Sequence, residues 1–105
     1  MIKKGDLLLS EERKLITEQG FLLGIEIELW KLPFPQSCEF PQGYKIKLIA
    51  YNLENSSELV LIDNHHGKTL HYHTNGKQKF FTWVSLAETE RLFLQLAQEK
   101  FGKFA

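Results

Sequence analysis

Alternating apolar and polar residues predict an antiparallel sheet in the middle of the chain. From Phe21 to Leu32, aliphatic side chains alternate with Glu26 and Glu28, a pattern typical of a half-buried strand. A second strand is predicted over residues 44–53, where lysines alternate with apolar residues. Residues 59–62 are all apolar, which predicts a central strand covered on both faces.

The segment before Phe21 has two interpretations. Leu7-Leu8-Leu9 followed by Ser10-Glu11-Glu12-Arg13 is compatible with the start of a helix. Leu15-Ile16-Thr17 is equally compatible with the first arm of a hairpin that leads into Phe21. We prefer the strand because the family resemblance described below favours it.

The Asn75-Gly76 pair predicts a tight hairpin, because both residues tolerate the positive φ of a type I′ turn. The expected pairs are Thr74 with Lys77, His73 with Gln78 and His71 with Phe80. His71 and His73 then share one face with Gln78 and Thr82. Leu70, Tyr72, Phe81 and Trp83 share the other face, which we expect to join the core. This register predicts that the two histidines lie side by side and accessible.

A C-terminal helix is predicted by a capping box, with Ser85 at the N-cap and Glu88 three residues later. It should run to about Phe101 and end at Gly102. Its apolar arc covers roughly half of the circumference, more than one sheet contact requires. The residues of this arc are Leu86, Leu92, Phe93, Leu94, Leu96, Ala97 and Phe101.

The wide apolar arc predicts an interaction surface around Leu94 and Phe101. A second copy of the chain, giving a homodimer through the helix, or another protein would cover it. The alternative is that Leu7-Leu8-Leu9 folds back over this surface. Together these elements predict an α+β fold, an antiparallel sheet of about five strands with the helix packed on one face.

Composition limits the class of protein. The 105 residues fit a single domain over positions 1–105, and a net charge of zero argues against nucleic-acid binding through bulk charge, though not through a local basic patch. Cys38 is the only cysteine, which excludes an internal disulfide and favours a reducing compartment. The sequence has neither a run long enough for a membrane helix nor a signal-peptide pattern. We expect a cytoplasmic protein with no membrane partner.

All four histidines lie within residues 65–73, and residues 64–87 contain Lys68, Lys77 and Lys79 but no acidic residue. Histidine changes charge near neutral pH, so such clusters serve proton transfer, metal ligation or anion binding more often than packing. This window is the expected functional site.

Several blocks resemble the TumE-like family, which is described as putative toxins of prokaryotic toxin–antitoxin pairs. The most specific block is Asp63-Asn64-x-x-Gly67-Lys68 followed at a fixed distance by His71-x-His73. The chain departs from the family pattern at three positions, Ile62, Thr69 and Tyr72, and at Tyr72 it lacks an expected arginine that could grip a phosphate. The resemblance covers about residues 15–100. It implies a toxin that acts on RNA, with a cognate antitoxin as partner.

Two chemistries suit His71 and His73, which point the same way on a strand. In metal-free RNA cleavage, one imidazole removes a proton from the ribose 2′-hydroxyl, the other protonates the leaving oxygen, and Lys68 steadies the phosphate. In a metal site, the two imidazoles and Asp63 form a 2-His-1-carboxylate set. We favour the metal-free reaction, with no cofactor, and leave a divalent metal open. Asp63 would otherwise orient a histidine.

An RNA-binding surface is predicted around the site from an aromatic residue and several basic residues. Its members are Tyr44, Lys45, Lys47, His66, Lys77 and Lys79. His65 and Cys38 are assigned no role, and Trp30 and Trp83 are expected in the core. The leading hypothesis is a TumE-like toxin that acts as a ribonuclease. The alternative is a non-catalytic binding module or inhibitory subunit that acts through its sheet and terminal helix.

Overall fold

A computed structural model describes residues 6–32, 43–64 and 70–104 as a six-stranded antiparallel sheet with one helix. The strand order in the sheet is the order along the chain, so each strand pairs with its sequence neighbours. The α+β prediction is confirmed, with six strands where about five were expected. The elements are β1 (Asp6–Ile16), β2 (Leu22–Lys31), β3 (Tyr44–Asn52), β4 (Asn55–Asp63), β5 (His71–Thr74), β6 (Lys77–Phe80) and α1 (Leu86–Phe101).

The first hairpin of the sheet decides between the two interpretations of the N-terminal segment. β1 pairs with β2 from Asp6↔Lys31 to Ile16↔Leu22, with a bulge between Leu7 and Leu9. The strand interpretation is therefore confirmed and reaches further towards the N-terminus than predicted.

The hairpin between β5 and β6 has the predicted register. Asn75 and Gly76 adopt φ of 51° and 73°, as a two-residue turn of this kind requires. The observed pairs include His71↔Phe80, His73↔Gln78 and Thr74↔Lys77. The turn chemistry was therefore sufficient to set the pairing of this hairpin.

Both predicted ends of α1 are confirmed by hydrogen bonds. Ser85 Oγ accepts a hydrogen bond from the Glu88 backbone N–H at 3.1 Å, and the Glu88 carboxylate pairs with Arg91 at 2.8 Å. Gly102, at φ 94°, donates its backbone N–H to the Gln98 carbonyl at 2.9 Å. A positive φ at this position suits glycine, which has no Cβ to clash.

The core lies between α1 and one face of the sheet, which we call the helix face. α1 packs mainly on β4 and β3. The buried apolar residues are Leu23, Ile25, Ile46, Leu48, Ala50, Val60, Ile62, Leu70, Phe93, Ala97 and Phe101. They come from three strands, β2, β3 and β4, from the residue that precedes β5, and from one stripe of the helix. Among the described residues no helix is long and apolar enough to span a membrane.

The predicted interaction surface on α1 is wrong in one of its two residues. Phe101 is fully buried, and its ring meets that of Phe21 edge-on at 5.6 Å. Leu94 remains 39% exposed. The leucines of β1 do not cover it, because Leu7, Leu8 and Leu9 are themselves 49%, 50% and 43% exposed in the edge strand. Phe101 belongs to the predicted apolar arc, and its contact with Phe21 makes it part of the core and not of an exposed surface.

Candidate functional site

The pairing registers align one row of side chains across the sheet. Residues directly opposite each other in neighbouring strands point to the same face. Successive pairs link β1 to β6 on the face opposite α1, which we call the open face. The members of this row are Ser10, Glu28, Lys47, Asp63, His71 and Phe80. Residues distant in sequence are thus brought side by side by register alone.

Asp63 and His71 form the closest polar contact of the row. His71 Nε2 lies 2.8 Å from Asp63 Oδ1, and the side chains are only 4% and 17% exposed. Shielding from water strengthens the electrostatic interaction of such a pair. The structure therefore joins the predicted carboxylate to one of the two predicted imidazoles.

The prediction that both histidines are accessible is wrong for His71. Its ring is enclosed by Asp63, by Phe80 at a centroid distance of 5.5 Å, and by His73 at 4.9 Å with the planes at 80°. The aromatic face of the hairpin does join the core. On the open face, however, His71 is also buried, because it lies between Asp63 and Phe80 in the row. His73, two residues further along β5, is half-buried, so its imidazole is the more accessible of the two.

These three side chains form a possible ligand set for a metal. One ligand atom each from Asp63, His71 and His73 lies within 4.8 Å of the other two. Oδ1 of Asp63 is enclosed and accepts no hydrogen bond of regular geometry from any described residue. The arrangement can therefore move protons through its imidazoles or hold a cation between its ligand atoms.

A shallow cavity of about 350 Å³ adjoins this cluster on the open face. Lys45 and Lys47 are exposed beside it, as the proposed phosphate contacts require. It is lined by Glu28, Trp30, Lys45, Ile46, Lys47 and Asp63. The cavity combines two cations and two carboxylates with an aromatic ring, and the cations with the ring are the pairing that suits a nucleotide.

Trp30 is a functional candidate that the sequence analysis missed. It was expected in the core, but it is half-buried on the open face, where its indole N–H donates to Glu28 Oε1 at 3.2 Å. A signal was present, because Trp30 shares the strand parity of Glu26 and Glu28 and not that of the aliphatic residues. Glu28 was also missed, because it was assigned only to the solvated side of the strand.

Tyr44 does not share a groove with the two lysines. It precedes Lys45 in the same strand, so its side chain points to the helix face, where it packs on Trp83 at a centroid distance of 6.0 Å. Trp83 packs against the core, as predicted. The alternation of β3 therefore separates Tyr44 from the two lysines, and its contact with RNA stays a prediction.

The lysines of β6 are also separated from the histidine pair. Lys77 and Lys79 pair with Thr74 and Tyr72, which places them on the helix-face side of the hairpin. They are exposed but cannot join Lys45 and Lys47 around one phosphate. Lys68 and His66, together with His65 and Cys38, lie outside the described residues.

Asn64 is a third residue whose role was missed, and it positions the site. Its fully buried amide accepts a hydrogen bond from the Ile46 backbone N–H at 2.9 Å and donates to the Tyr44 carbonyl at 2.7 Å. An Asp-Asn pair at a strand end is often part of an Asx-type turn. The side chain instead continues the ladder between β4 and β3, which holds Asp63 beside Lys45 and Lys47.

Comparisons with protein-family models, with curated proteins and with solved structures find no match. The resemblance to the TumE-like family therefore rests on the sequence blocks alone and stays a prediction.

Proposed function

We propose that this protein is the toxin of a toxin–antitoxin pair and that it cleaves RNA on the open face of its sheet. The observation that carries the proposal is the shielded Asp63–His71 contact, with a more accessible imidazole, His73, packed against His71, and with Asp63 lining a cavity that holds two lysines. A proton acceptor, a group that holds it in place and a phosphate-binding cation are the components of metal-free RNA cleavage.

In this mechanism His73 takes the proton from a ribose 2′-hydroxyl. The 2′ oxygen attacks the adjacent phosphorus, and the bond from phosphorus to the 5′ oxygen of the next nucleotide breaks, which leaves a 2′,3′-cyclic phosphate. The imidazolium formed on His73 can return its proton to the leaving oxygen. One accessible imidazole is therefore sufficient for both proton transfers.

The other side chains act on charge and orientation. Lys45 and Lys47 lie exposed at the cavity, where their ammonium groups stabilise the negative charge that develops on the phosphate oxygens. His71 is too enclosed to meet a substrate directly. It is a positioning residue, held by Asp63 and packed edge-on against His73. Trp30 offers a ring on which a base can stack.

Cleavage of cellular RNA by the purified chain in EDTA tests the proposal. We expect His73→Ala to lower the rate by about 100-fold or more, the usual contribution of general acid–base catalysis. Lys47→Ala and Lys79→Ala form a matched pair, since both lysines are exposed strand residues but only Lys47 is on the open face. We expect the first substitution to slow cleavage and the second to leave it unchanged. Equal effects of the two, or an active His73→Ala variant, would refute the assignment.

The alternative, a binding module that acts without catalysis, is favoured by a different surface. Leu7, Leu8 and Leu9 are exposed on β1, and Leu9 borders a small apolar cavity of about 100 Å³ at the start of α1. Exposed leucines on an edge strand suit a protein partner such as an antitoxin. This alternative predicts that induced expression still arrests growth when His73 is replaced by alanine. Growth arrest that disappears with His73→Ala would exclude it.

A further inference from the structure

We propose that Asp63, His71 and His73 bind one divalent transition-metal ion. The three residues come from two adjacent strands, and a ligand atom from each lies within 4.8 Å of the others. His71 and His73 are separated by one residue, so β5 directs both imidazoles to the open face. Asp63 is paired with His71 across the strands and supplies the carboxylate.

The distances are close to those of a coordination shell. Two ligands bound to one ion with bonds of about 2.1 Å lie about 3.0–3.4 Å apart in octahedral or tetrahedral geometry. Asp63 Oδ1 and His71 Nε2 are 2.8 Å apart, so this edge of the shell is nearly formed. A ring nitrogen of His73 lies within 4.8 Å of one ligand atom from each of the other two residues. A shift of about 1–2 Å brings it to ligand spacing, which rotation of the half-buried imidazole about its side-chain bonds can supply.

An unsatisfied atom inside the cluster also indicates a cation. Asp63 Oδ1 is enclosed, and its 2.8 Å contact with His71 Nε2 does not have the geometry of a hydrogen bond, nor does any other described residue donate one to it. A buried carboxylate oxygen without a donor is costly, and such atoms in native proteins usually have a partner. A metal ion between Oδ1 and the imidazoles would provide that partner.

The ligand types select the class of metal. Two imidazoles with one carboxylate suit Zn²⁺, Co²⁺, Ni²⁺ or Fe²⁺, whereas Mg²⁺ and Ca²⁺ prefer sites built from oxygen ligands alone. Three protein ligands leave at least one coordination position for water or substrate. Asp63 also lines the cavity between Lys47 and Trp30, so this position can be reached from the open face.

Metal binding has a consequence for the reaction, and this consequence rests on the proposed function. A bound ion occupies the imidazole lone pair with which His73 would accept the 2′-hydroxyl proton. One equivalent of Zn²⁺ should therefore inhibit the EDTA-insensitive cleavage of RNA. The binding itself does not depend on that activity.

The test uses the full chain freed of metal by dialysis against EDTA. Zn²⁺ binding is measured by calorimetry, and Co²⁺ binding by its visible absorption, which reports the geometry of the ligands. We expect one equivalent of metal in the wild type and an affinity lower by at least 100-fold in Asp63→Asn and in His73→Gln. Glu26→Gln is the matched control, because it neutralises another carboxylate of the open face, outside the ligand set and outside the cavity. It should bind as the wild type does. Circular dichroism confirms that each variant is folded.

A double variant, His65→Asn with His66→Asn, separates the proposed site from the other two histidines of the chain, and we expect it to retain binding. The proposal is overturned if the wild type binds no metal at one equivalent. It is equally overturned if folded Asp63→Asn and His73→Gln bind as the wild type does, or if only the double variant loses binding. If the chain cleaved RNA but bound no metal, the proposed function would hold and the proposed metal site would be refuted. Metal binding by an inactive chain would do the reverse.

Discussion

Replacing Asn64 by alanine should destabilise the protein far more than its polar character suggests. The side chain is fully buried between β4 and β3, and its amide makes two hydrogen bonds to the backbone of β3. Alanine removes both hydrogen bonds at once, the one from the Ile46 N–H and the one to the Tyr44 carbonyl.

The size of the effect follows from the burial of these two backbone groups. A buried donor or acceptor that loses its partner costs about 1–3 kcal/mol. The hydrogen bond from the Ile46 N–H is buried and should count fully, whereas the one to the Tyr44 carbonyl is partly buried, so water can replace some of it. We therefore expect the free energy of unfolding to fall by about 2–4 kcal/mol. For a domain with the usual stability of about 5–15 kcal/mol, the variant still folds.

Urea denaturation followed by tryptophan fluorescence measures this loss. Asn55→Ala is the matched control, because Asn55 also uses its amide oxygen locally, accepting from Ser57 Oγ at 2.7 Å, but is exposed. Water can replace that contact, so the control should lose less than about 1 kcal/mol. If Asn64→Ala lost no more than Asn55→Ala, the claim that Asn64 joins β4 to β3 would be wrong.

Two further substitutions test the packing of the helix. Ser85→Ala removes the N-cap acceptor of the Glu88 N–H and should cost about 1 kcal/mol, measured by thermal denaturation, while Ser85→Asp should restore the stability. Phe101→Ala should cost about 3–5 kcal/mol because the ring is fully buried, whereas Leu94→Ala, at a position 39% exposed, should cost much less. Similar losses for these two positions would contradict the burial of Phe101.

The elements that the sequence predicted are those with local causes. Alternation in residues 21–32 and 44–53 predicted β2 and β3, and Asn75-Gly76 predicted the hairpin with its register. Ser85 and Gly102 predicted the ends of the helix. Each of these signals acts within a few residues, through side-chain parity, positive φ or a cap, so no knowledge of the rest of the chain was needed.

The failures concern burial that depends on distant partners. His71 was expected to be accessible because its own hairpin leaves it on the polar side, but Asp63 and Phe80 enclose it from the neighbouring strands. Phe101 was assigned to an exposed surface because Phe21, which packs on it in the core, lies far away in the sequence. Neither contact can be read from local periodicity. Trp30 and Tyr44 differ from these, because the parity of their own strands already placed them correctly and their residue types misled the assignment.

The meander topology explains why the candidate site lies on the open face. α1 covers only one face of the sheet, so the core is built from the side chains of β2, β3 and β4 that point to the helix face. The side chains that point to the open face remain outside this core. In a meander every strand pairs with its sequence neighbours, so one register shift would replace the whole row of which Asp63 and His71 are members. A fixed register at the end of β4 is therefore a condition for the site. Asn64, directly after Asp63, meets that condition, because its buried amide forms hydrogen bonds with Ile46 and Tyr44 at the start of β3. Stability and site geometry are thus coupled through one side chain, and a folded Asn64→Ala variant should lose metal affinity even though Asn64 is not itself a ligand.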